Sequence, residues 1–79
     1  MATLRLFAAA REAAGTGSEV VTGATVGQVL ADAQARHGEP FASVLARCRV
    51  WLNGEPARDD DPVGAGDEVA VLPPVSGGV

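Results

Sequence analysis

Ala24-Thr25-Val26-Gly27-Gln28-Val29-Leu30-Ala31-Asp32-Ala33-Gln34-Ala35-Arg36-His37-Gly38 decides the fold. Thr25 followed three places later by Gln28 is the pattern of a capping box, in which the first side chain takes a backbone N–H of the new helix. Val26, Val29, Leu30, Ala33 and His37 then recur at the spacing of one helix face, and Asp32 and Arg36 stand four apart, where opposite charges meet. Gly38 supplies the stop. The spacing predicts a helix over 26–37, long enough to cover one face of a sheet.

On its N-terminal side, Thr3 to Phe7 alternates, with Leu4 and Leu6 on one face and Thr3, Arg5 and Phe7 on the other, the period of a half-buried strand. Ala8 to Ala14 is a short helical run ended by Gly15. Ser18 to Thr22, with two valines, reads as a second strand, and the short connection implies antiparallel pairing. On the C-terminal side, Pro40 opens a shorter helical turn containing Phe41, Val44 and Leu45. Cys48 to Leu52 alternates again, Cys48, Val50 and Leu52 inward and Arg49 and Trp51 outward. Asn53-Gly54 is the preferred pair for a tight hairpin turn, because both residues tolerate positive φ. A weak edge strand at Glu55 to Ala57, a polar loop at Arg58 to Gly66 and a last strand at Glu68 to Leu72 follow, with Val69 and Val71 on the core side. Pro73-Pro74 stops that strand, since neither residue can donate a ladder hydrogen bond. This order describes an α+β two-layer domain of the β-grasp kind, a mixed sheet of four to five strands covered by one main helix. Residues 1–74 form the expected domain and 75–79 a flexible, extended tail.

With 79 residues, 47% of them hydrophobic, the chain fills one small domain and leaves no core from which to carve a deep substrate pocket. Six Lys+Arg, all arginine, against ten Asp+Glu give a net charge of −4, so the basic stripe that nucleic-acid binding needs is missing. The longest charge-free stretch, 20–31, is far short of the roughly 20 apolar residues that span a bilayer. The first fifteen residues carry an acid at Glu12 and lack the basic start and apolar core of a signal peptide. A lone Cys48 makes a reducing cytoplasm the simplest compartment. Neither nucleic acid nor membrane is an expected partner.

The inventory for catalysis is thin. His37 is the one histidine and falls in the last turn of the main helix, where a cation suits the helix dipole. Cys48 reads as a small buried hydrophobe. Asp59-Asp60-Asp61 lacks the glycine and terminal Glu of a calcium loop and reads as a solvated turn, so no metal is expected. The outward residues say more: Phe7, Trp51 and Leu72 fall on the face away from the main helix with Arg5 and Arg49 between them, an apolar patch rimmed by arginine of the sort that binds proteins. The end Val75-Ser76-Gly77-Gly78-Val79 says most. Glycine has no Cβ, so a diglycine can thread a channel too narrow for other residues and leave its carbonyl open to attack. Such an end is suited to being another enzyme's substrate.

RLFAAAREAAG at 5–15, LNG at 52–54 and GDEVAVLPPVSGG at 66–78 resemble the MoaD/ThiS-type sulfur carriers, ubiquitin-like β-grasp proteins, and among them the small subunit of molybdopterin synthase. The likeness spans essentially the whole chain, and the C-terminal phrase is its specific part. It implies that the carboxylate of Gly78 is adenylated with ATP by a ubiquitin-activating-enzyme-like adenylyltransferase and becomes a thiocarboxylate. The tail (Val75, Ser76, Gly77) threads into the large synthase subunit, in an expected heterotetramer, and gives its sulfur to cyclic pyranopterin monophosphate. The carrier is no enzyme alone and binds no cofactor. Phe7, Trp51, Leu72, Pro73, Pro74 and Arg11 are the expected partner contacts. Val79 departs from the family pattern, so either a C-terminal peptidase removes it, which is the expectation, or this copy is inactive or differently used. Sulfur carriage for cysteine, thiamine, tRNA or metabolite thiolation, or a plain ubiquitin-like interaction module or protein modifier that carries no sulfur, remain the alternatives.

Overall fold

The computed structural model describes residues 1–73. Pro74, Val75, Ser76, Gly77, Gly78 and Val79, and with them the expected boundary between domain and tail, lie outside the described residues. Five strands, β1 (Ala2–Leu6), β2 (Ser18–Val21), β3 (Arg49–Leu52), β4 (Glu55–Pro56) and β5 (Glu68–Leu72), form one mixed sheet in the order β2-β1-β5-β3-β4. β1 and β5 pair parallel at its centre, and every other pairing is antiparallel. Three helices, α1 (Ala8–Ala14), α2 (Val26–His37) and α3 (Glu39–Leu45), connect the strands. This is the β-grasp architecture expected from the element order.

Alternation sets the two faces. Leu4, Leu6, Val69 and Val71 are buried and share one core with Val26, Val29, Leu30 and Ala33 of α2 and with Phe41 of α3, which is fully buried. Each of these leucine, valine and phenylalanine side chains contributes about 1.5–3 kcal/mol on leaving water. The α2 cap forms as expected at Thr25, whose hydroxyl accepts from the Gln28 N–H at 3.2 Å, but the Gln28 amide reaches back one residue further, accepting from the Ala24 N–H at 2.8 Å. α1 closes on Gly15 in the left-handed region, φ 79°, a conformation a Cβ would penalise.

Three local readings need correction. Cys48 is not in a strand: the Arg47 and Cys48 amides donate to Val44 and Leu45, which holds the chain in a turn until β3 begins at Arg49. Asp59 to Asp61 is more than a solvated turn, because the carbonyls of Asp59 and Asp61 accept from the amides of Gly27 and Val26 at 2.8 and 2.9 Å and satisfy the open N-terminus of α2. That approach favours glycine at 27, where a Cβ would stand 3.1 Å from the Asp59 carbonyl oxygen and crowd it. His37 is held by Glu19 of β2 at 2.8 Å and lies against the Phe41 ring, so its position is set by a tertiary hydrogen bond in addition to the helix end.

Candidate functional site

The register places the outward residues in rows. Arg49 of β3 stands opposite Leu72 of β5, and Trp51 opposite Ala70, which in turn faces Arg5 of β1. Phe7 follows β1 directly, and its amide donates to the Val71 carbonyl at 3.2 Å, so the parallel ladder carries it to the level of Leu72. The chain then turns sharply through Ala8, whose φ of 52° is rare for a residue with a Cβ. The Phe7 carbonyl accepts from Ala10, starting α1. Phe7 is therefore fixed at its backbone while the residue as a whole stays 37% exposed. The Arg5 guanidinium lies 5.5 Å from the ring centroid and pairs with Glu68 at 3.2 Å, covering one side of the ring. Trp51 and Leu72 are half-buried. Val20, which alternation alone did not single out, adds to this face at 66% exposure; its register partner is Thr3.

Arg11 is exposed on α1, and its side chain runs beside Gly17, apart from the rows of the sheet. Pro73, at the end of β5, lines a groove of about 380 Å³ with Ala9, Ser43, Val44, Arg47 and Cys48. Burial pushes the Cys48 thiol above its ordinary value, which keeps it protonated and a poor nucleophile. The His37 ring is engaged by Glu19. Burial raises the Glu19 carboxyl, but hydrogen bonds from Arg36 and His37 outweigh it and hold the group below the usual carboxylate range. Asp67 is also lowered, by the Gly64 amide first and the Asn53 side chain second. Among the described residues no cluster of His, Cys, Asp and Glu could hold a metal ion, and no helix is long and apolar enough to cross a membrane. The described part of the site is a partly exposed apolar face with arginines among its rows, next to the end of β5.

The ThiS family model matches residues 4–78, a span that takes in Phe7, Trp51, Leu72 and both glycines of the tail. The chain belongs to the ThiS family. It is a ubiquitin-like sulfur carrier of the MoaD/ThiS type. The molybdopterin synthase sulfur carrier subunit of Chlamydomonas reinhardtii is 40% identical over 77 residues, covering 91% of this chain and 92% of that one. The crystal structure of SAMP1 from Haloferax volcanii superposes with a TM-score of 0.76 at 35% identity and covers 98% of each chain. A chain from the BexX/CysO complex of Amycolatopsis orientalis superposes at 0.81 with 26% identity, covering 99% of this chain and 100% of that one.

Proposed function

We propose that this carrier delivers sulfur for molybdopterin synthesis through a thiocarboxylate on Gly78. The family match running through Gly77 and Gly78 carries the reading, and the molybdopterin synthase relative supports this acceptor over others. A peptide-bonded Gly78 has no carboxylate, so a peptidase must first cleave the bond to Val79. The freed carboxylate attacks the α-phosphorus of ATP on an adenylyltransferase partner and releases pyrophosphate. Sulfide then displaces AMP, leaving the thiocarboxylate, and once that sulfur has bonded to cyclic pyranopterin monophosphate on the large subunit, water cleaves the acyl–sulfur bond and returns the carboxylate. Adenylation supplies the leaving group that a bare carboxylate lacks. The Phe7, Trp51 and Leu72 face, with Pro73 at the end of β5, seats the partners, and Arg11, apart from that face on α1, offers a second point of contact.

The likeness to SAMP1 and to the BexX/CysO complex favours a second reading, in which the same thiocarboxylate serves another acceptor. Reconstitution separates the two. The chain ending at Gly78, loaded with sulfur and mixed with large subunit and cyclic pyranopterin monophosphate, forms the dithiolene product and consumes thiocarboxylate in proportion. Thiocarboxylate that persists in that mixture refutes the molybdopterin assignment and leaves the second reading.

A further inference from the structure

Charge on this chain is sorted by sheet end. β5 starts where β3 ends, and the loop after Arg58 reaches the start of β1 through a hydrogen bond from the Gly66 amide to the Met1 carbonyl. Glu55, Asp59, Asp60, Asp61, Asp67 and Glu68, six of the ten acidic residues, stand at that end against Arg58, which opens the same loop, so the end is acidic on balance. The opposite end, where β5 reaches Leu72 and Pro73, carries Arg47 on the lip of the groove and Arg49 in register with Leu72. Both are exposed, and among the described residues neither forms an ion pair, unlike Arg5 and Arg36. On a chain of net charge −4 a basic end is not a consequence of composition.

We propose that Arg47 and Arg49 form a basic collar beside Leu72 and Pro73 at the end of β5, which docks on a partner protein whose carboxylates surround an apolar seat, the groove at Pro73 taking one of that partner's apolar side chains. The proposal rests on the reading that the tail is delivered to an enzyme, and it names the chemistry of that enzyme's surface. The collar flanks apolar side chains on both sides, Leu72 on the sheet face and Ala9 and Val44 in the groove, which suits a protein surface better than a small anion. The acidic far end repels the same partner, so encounters that present the wrong end are disfavoured and the tail-first approach is steered.

The test is steady-state adenylation of the chain ending at Gly78 by its ubiquitin-activating-enzyme-like adenylyltransferase. Arg47→Glu/Arg49→Glu should lower kcat/KM by ~10-fold or more at low salt through KM, and the gap should narrow as salt rises. Arg47→Lys/Arg49→Lys should keep most of the rate, and Asp60→Lys at the far end should not reduce it. Unchanged kcat/KM in the glutamate variant, with melting temperatures matched, overturns the collar. A fall confined to kcat and insensitive to salt also overturns it, because the arginines would then act on the nucleotide. No adenylation of the parent chain overturns the carrier reading itself, a separate outcome.

Discussion

Glu19→Gln tests the ion-pair cluster that joins β2 to α2. The Glu19 side chain is 16% exposed and accepts from Arg36 at 2.6 Å and from His37 Nε2 at 2.8 Å, while Arg36 also holds Asp32 at 2.8 Å. Each hydrogen bond to a charged group is worth about 1.5–3 kcal/mol in a favourable setting. Arg36 is 39% exposed and keeps Asp32 in the variant, so its share falls to about 0.5 kcal/mol after solvent screening. The glutamine oxygen retains one neutral bond, which leaves a net loss of about 1–2 kcal/mol, or roughly 4–16 °C in melting temperature for a domain of this size. The sign with pH follows from the lowered carboxyl. Because the folded-state pKa lies below the unfolded value near 4.5, the anion's contribution is complete above that value and is lost as pH falls through the folded one. Thermal melts from about pH 7 to pH 3 should therefore show parent and variant converging at the acid end. A gap that stays constant across that range, or no gap at neutral pH, refutes the account.

Gly27→Ala should destabilise by about 1 kcal/mol, although the same change inside an ordinary helix stabilises, because the new Cβ meets the Asp59 carbonyl at 3.1 Å; faster hydrogen exchange at the Gly27 amide would report the lost cap. Asn53→Ala should cost about 1–2 kcal/mol in denaturant titration, since Asn53 sits at φ 51° and its side chain bonds the Glu68 amide at 2.8 Å and Asp67 at 3.1 Å. Phe7→Ala should shift the melt by less than about 1 kcal/mol, because the ring is already partly in water, yet weaken binding to the large subunit at least ~10-fold by calorimetry. Equal affinity for parent and variant would remove Phe7 from the interface.

The parts legible in the sequence are those governed by near neighbours. The apolar spacing from Val26 to Ala33, the left-handed pair at Asn53-Gly54 and the alternation through Leu4 and Leu6 each depend on a few adjacent residues, and each appears as expected. What stayed hidden is long-range. Glu19 and His37 are eighteen residues apart, and only the register of β2 on β1, which sets Glu19 opposite Leu4, turns that carboxylate toward α2. Alternation through Glu19 and Val21 could have flagged it, since an inward carboxylate needs a partner. The capping of α2 by the carbonyls of Asp59 and Asp61 left no trace in side-chain type, because backbone atoms do the bonding; a glycine inside a helix, Gly27, was the one available sign. On the outer face, Phe7, Trp51 and Leu72 were found by alternation, whereas Val20 was passed over as an ordinary strand valine.

The most direct test is the intact mass of the chain ending at Gly78 after incubation with ATP, its adenylyltransferase and sulfide. The account predicts a gain equal to exchanging one oxygen for sulfur, located at Gly78 by fragmentation and abolished when ATP is withheld. An unchanged mass under conditions where the enzyme adenylates another carrier of this family would contradict it.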